Sequence, residues 1–187
     1  MQMATQKTFP GKSSSSAARG RAATRIARAT ATQHNVVKNR KSRTKTEGAI
    51  RGGNGKYQFT LAAVKDVAAG TGYSSAHGGV VEGERMLVGY IHKPRGTGSR
   101  MHTHRNEQFN YVVRGTLVGS VNGRKVVAPA GTLIYIPANA PHTLVASPDG
   151  EDVIFIAIKD LSQGIIGKAV DGAMTGPHYD PGFGPDS

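Results

Sequence analysis

Seven histidines occur in the 187 residues of this chain, and three of them stand where they could share a metal ion. His102 and His104 are one residue apart in the string GTGSRMHTHRNEQFNYVVRG. Alternate residues of an extended strand project to the same face, so the two imidazoles would point together. A turn through Arg105 and Asn106 would bring the chain back and present Gln108 or Glu107 beside them. A third imidazole has to come from another strand. His142 begins one, at the end of GTLIYIPANAPH and just past the Pro137–Pro141 corner. Three imidazoles and an oxygen donor suit Zn, Fe, Ni, Mn or Cu, and the spacing does not choose among them.

The identity of the oxygen donor has chemical consequences. Strand alternation puts Gln108, Asn110 and Val112 on one face and Phe109, Tyr111 and Val113 on the other. Glu107 then faces away unless a bulge at the turn rotates it. With Gln108 as fourth ligand every protein donor is neutral, and a divalent ion keeps its full charge to polarise a carbonyl or enolate and attract an anion. With Glu107, one charge is cancelled. Gln108 is the expected ligand and Glu107 the alternative.

Four further residues are candidates for chemistry around the ion. Arg100 shares the parity of His102 and His104 and is either a clamp for a substrate carboxylate or a solvated rim residue. Asn110 is expected to face inward as a hydrogen-bonding group. In MLVGYIH, Met86, Val88, Tyr90 and His92 share one face. If that face lines a lumen, Tyr90 and His92 are acid–base candidates; otherwise they are a core tyrosine and an edge histidine. No Walker loop, GxSxG elbow or HExxH string is present.

The elements that must position these groups are strands. From Tyr57 onward, short runs rich in Val, Ile and Tyr recur between Gly, Pro, Asn and Asp: YQFTLAAV, MLVGYIH, QFNYVV, TLVGSV, RKVVA, GTLIYIP, HTLVA and DVIFIAI. No long segment of helical period intervenes, which predicts an all-β antiparallel barrel or sandwich. Asn122–Gly123 is a strong hairpin signal, and Asp149–Gly150 marks another turn. Residues 160–187, rich in Gly and Pro, read as an irregular strap over the barrel.

The net charge of +12 belongs to a different part of the chain. Residues 1–56 hold 13 of the 24 Lys and Arg but one acid of 12, Glu47, so residues 57–187 are neutral overall. The basic segment has no leucine and few large apolar residues, and is expected to be a disordered tail. It is read as solvated, as binding nucleic acid or another polyanion, or as an organellar targeting segment. The absence of cysteine excludes disulfides, thiolate zinc sites and a cysteine nucleophile. With no long apolar run and no secretory leader, the expected setting is the cytoplasm, away from membranes.

The two histidine-bearing strings resemble the paired motifs of the cupin superfamily, from Gly96 to about Ala146, with His102, His104 and His142 at the family's ligand positions. The usual acid position holds Gln108, with Glu107 next to it; Asn139 and Ala146 replace the second motif's glycine and asparagine. The form HxHxxEQ does occur in small bacterial cupins, some of which ligate metal through the glutamine. The resemblance implies a small, single-domain double-stranded β-helix (jelly-roll) barrel, commonly a homodimer, holding one divalent transition metal per chain. The expected organisation is a tail over 1–56, a barrel over 57–159 and a strap over 160–187. The expected function is a metal-dependent enzyme acting on a small, oxygen-rich, anionic substrate, with Lewis-acid isomerase or lyase chemistry ahead of dioxygenation. The other classes are a non-catalytic small-molecule-binding barrel with a polyanion-binding tail, and a storage barrel.

Overall fold

A computed structural model describes residues 38–40 and 43–186. Residues 1–37 lie outside the described residues, and with them the expectations of disorder, polyanion binding and targeting. The strands in chain order are β1 (Ile50–Arg51), β2 (Asp66–Ala68), β3 (His77–Glu82), β4 (Met86–Lys93), β5 (Thr97–Gly98), β6 (His102–Thr103), β7 (Gln108–Arg114), β8 (Thr116–Val121), β9 (Arg124–Pro129), β10 (Leu133–Ile136), β11 (His142–Ala146), β12 (Val153–Asp160), β13 (Lys168–Ala169) and β14 (His178–Tyr179).

They form two seven-stranded sheets. The first runs β1–β3–β4–β12–β7–β10, with β2 also on β3; the second runs β13–β6–β11–β5–β14, with β8 joining β11 to β9. This is the all-β architecture expected from the strand pattern, and its two sheets agree with the jelly roll that the resemblance implies. Asn122 and Gly123 both take positive φ, 48° and 76°, and close the β8–β9 hairpin with Val121 opposite Arg124. That backbone matches the twist of the flanking strands, which is why this dipeptide is a hairpin signal.

The inner faces of the sheets enclose the core, where Val80, Leu87, Ile91, Val112, Leu117, Ile136 and Val153 are fully buried. The alternation decides which side chains enter. On β7 the inward set is Gln108, Asn110 and Val112, the phase expected from the sequence. On β4 it is Leu87, Gly89, Ile91 and Lys93. The lumen reading of Tyr90 and His92 therefore gives way: both lie on the opposite face. There His77 pairs across the ladder with His92, and the short 3-10 turn Leu61–Ala63 packs nearby.

The described part of the basic segment is built into this fold. Ile50–Arg51 pairs in parallel with Val81–Glu82, and Thr46 is buried. The anchor is Glu82, a fully buried carboxylate. It accepts hydrogen bonds from the backbone N–H groups of Lys45 and Thr46, each at 2.7 Å, and faces the Arg51 guanidinium at 3.8 Å. Thr46 Oγ1 in turn accepts the Ile165 N–H at 3.0 Å. Composition placed the barrel's beginning at residue 57, because this anchor is polar and carries no apolar periodicity.

Replacing Glu82 by leucine leaves two main-chain donors and a guanidinium without their acceptor. Urea unfolding is expected to show a loss of about 3–5 kcal/mol, with Glu82→Gln falling between that variant and the parent.

Candidate metal centre

Register brings the three histidines together. His142, the first residue of β11, lies directly opposite His102 of β6, and His104 stands immediately after β6. Their ring centroids are 4.0 Å apart for His102 and His142, 4.7 Å for His104 and His142, and 6.0 Å for His102 and His104. One ligand nitrogen from each lies within 4.8 Å of the others, and all three side chains are buried.

The tautomers are set by the main chain. Each Nδ1 stands against a carbonyl two residues away: His102 with Arg100 O at 2.8 Å, His104 with Asn106 O at 2.9 Å, and His142 with Ala140 O at 2.9 Å. A neutral imidazole that donates from Nδ1 presents an unprotonated Nε2 as a ligand. Burial, aided by neighbouring cationic and imidazole groups, pushes the three groups down to about 2, 3 and 4 for His102, His104 and His142. They are therefore neutral donors. His104 Nε2 is fully buried and without a hydrogen-bond partner; the Gln108 amide is close enough to influence it but does not reach bonding geometry. A buried acceptor left unpaired costs about 1–3 kcal/mol, and a metal ion would satisfy it. The donor set fits a divalent transition ion.

The oxygen candidates diverge. Gln108 is buried and donates from Nε2 to Asn110 Oδ1 at 2.6 Å, which in this amide orientation leaves its Oε1 uncommitted. Glu107 is exposed, and its carboxylate accepts the Tyr135 hydroxyl at 2.9 Å. Asn110, 1% exposed, faces inward as expected. Arg100 does not enter the lumen: its guanidinium binds Thr175 and Asp171 of the C-terminal segment. The parity it shares with His102 and His104 ends where β6 begins, so the alternation does not carry it inward.

A cavity of about 50 Å³ adjoins the cluster, with His102, His142, Gln108 and Asn110 in its wall. Two of its lining residues escaped the sequence reading: Lys93 and Lys159, 3% and 4% exposed. Desolvation pushes both ammonium groups down to about 7. Lys93 Nζ donates to Leu144 O at 2.6 Å and lies 5.7 Å from the Phe155 ring centroid. Gly98 allows this strand crossing, since a Cβ there would stand 2.5 Å from Leu144 O. A signal for both lysines existed: each falls in the inward phase of a strand whose other inward residues are small or apolar. Tyr73, whose ring lies 4.6 Å from that of His102, also lines the cavity; burial raises its hydroxyl pKa.

Residues 89–159 match the sequence model of the cupin domain family. Comparison with curated proteins gives no match. Among solved structures, the chain is similar to an RmlC-like cupin from Shewanella frigidimarina, at 24% identity and TM-score 0.42 over 51% of this chain and 82% of that one. It is similar to a cupin 2 domain-containing protein from Halorhodospira halophila, at 20% identity and TM-score 0.42 over 46% and 61%. It is also similar to the TT1209 protein of Thermus thermophilus, at 21% identity and TM-score 0.39 over 42% and 75%.

Asn106 tests the positioning of His104 without removing a ligand. Its side chain, fully buried, donates to Asp160 O at 2.6 Å and Gln163 O at 2.9 Å, holding the carbonyl that orients the imidazole. Asn106→Ala is expected to lower metal affinity by about 10–100-fold, read by competition with a chromophoric chelator.

Proposed function

We propose, on the footing of the match of residues 89–159 to the cupin domain model, that the chain is a metal-dependent enzyme acting on a small, oxygen-rich, anionic substrate. The observation that carries this reading is the neutrality of the donor set. His102, His104 and His142 are uncharged in their buried setting, and among the described residues no Asp or Glu lines the adjoining cavity. Gln108 is the fourth donor in this reading, through the oxygen that its bond to Asn110 leaves free. Glu107 is engaged by Tyr135 on the outer face.

A divalent ion held by four neutral donors supplies undiminished Lewis acidity to a bound carbonyl or enolate, which favours isomerase or lyase chemistry. The chain's own groups do the remaining work. Main-chain carbonyls fix the imidazole planes, and Asn110 fixes the Gln108 amide. Ile91, Leu144 and Phe155 contribute apolar wall to the cavity, limiting water and strengthening the electrostatic interactions within it. Among the described residues the wall holds no carboxylate to repel an anion.

Elemental analysis of the purified protein tests this assignment. About one divalent transition ion per chain is expected, lost in His142→Ala, reduced in Gln108→Ala and unchanged in Glu107→Ala. Metal content that responds to Glu107→Ala but not to Gln108→Ala would make the fourth donor a carboxylate. Dioxygen consumption by an iron-loaded preparation would overturn the redox-silent chemistry.

A further inference from the structure

The two lysines in the cavity wall have no role in holding a metal. Neither forms an ion pair among the described residues. Lys93 spends one N–H on Leu144 O, and Lys159 has no hydrogen-bond partner there. A buried ammonium without a counter-ion is costly to the folded protein, and an anion held in the cavity would offset that cost.

Their placement is directional. Val153 is opposite Lys93 on the β4–β12 ladder, and Lys159 lies six positions further along β12. By ordinary strand rise the two Cα atoms are therefore on the order of 20 Å apart. Both nevertheless line the same cavity, which they reach from well-separated positions on the inner face. Lys93 acts electrostatically on His102 and His142, and Lys159 on His104 and His142. Lys159 is also the ladder partner of Gln108.

We infer that Lys93 and Lys159 form a two-point cation clamp that selects a small dianionic acid, one anionic group for each ammonium, as the ligand of this cavity. The inference deepens the reading of an anionic substrate and rests on it for the substrate's place beside the metal. Size narrows the class. At about 10–15 Å³ for each water position, a cavity of about 50 Å³ is the size of a few waters and suits a small acid. A short-chain dicarboxylate, or an acid with one carboxylate and one enolate, matches in charge and size. Each ammonium would recognise its group by charge-assisted hydrogen bonds, with the small and apolar wall of Ala157 and Phe155 between them and His102 and His142 in the same lining.

The test compares malonate with acetate as probes, by calorimetry on the full chain. It uses the metal-loaded protein and the same protein after chelation, in parallel with Lys93→Met and Lys159→Met. Methionine keeps an unbranched side chain one atom shorter and removes the charge, so both variants are expected to fold, as thermal melts will show. The clamp predicts that malonate binds about tenfold or more tighter than acetate, with and without metal. Each substitution should abolish most of that preference while metal content stays unchanged. A parent protein with no preference for malonate overturns the clamp, as does a preference that survives both substitutions. Lysine-dependent malonate binding in a protein that takes up no metal leaves the clamp standing and removes the metal-dependent reading. Metal uptake without that preference does the reverse.

Discussion

A single local device, repeated three times, governs the site: an imidazole Nδ1 held by a main-chain carbonyl two residues away. It fixes the tautomer and the ring plane together, so each Nε2 is both deprotonated and aimed. The carbonyls belong to Arg100, Asn106 and Ala140, residues at the mouths of strands, where backbone groups are not all consumed by ladder bonds. Burial then makes the neutral form the stable one. The result is a cluster of acceptors with one nitrogen, on His104, left unpaired inside the protein. Polar atoms in that state are uncommon in native cores and mark places where something binds.

The surrounding electrostatics point the same way. The fully buried carboxylate among the described residues, Glu82, is spent on structure, tying the segment around Thr46 to the barrel. The buried cations, Lys93 and Lys159, face the cavity instead. The interior thus separates its charges: the acid sits where backbone donors and a guanidinium stabilise it, and the ammonium groups sit beside the histidines. Any divalent ion among the imidazoles adds to that positive field, which is the physical basis for expecting an anionic ligand.

Strand periodicity was the most legible layer of the sequence, because a period of two survives in any half-buried strand. It placed Gln108, Asn110 and Val112 inward and Glu107 outward, and the Asn122–Gly123 turn was readable for the same local reason. On β4 periodicity defined two faces but could not rank them, since Leu87, Gly89 and Ile91 are as apolar as Met86, Val88 and Tyr90. The packing of β3 and the 3-10 turn over His92 decided it. Arg100 lay beyond the strand whose parity it was assigned, and the distant residues Asp171 and Thr175 capture it. The polar anchoring at Glu82 left no mark in composition, so residues 43–56 read as tail.

The sequence by itself therefore determined the local geometry: which residues alternate, where the chain turns, and which three histidines have the spacing of ligands. Tertiary structure decided what those residues meet. His142 and His102 lie 40 positions apart, and only sheet register sets them opposite each other. Lys93 and Lys159 become neighbours of one cavity only after β4 and β12 pair and the barrel closes. The reason is range. Backbone propensity and strand parity act over a few residues, whereas a cavity's charge and contents are set by side chains converging from strands that the chain order keeps apart.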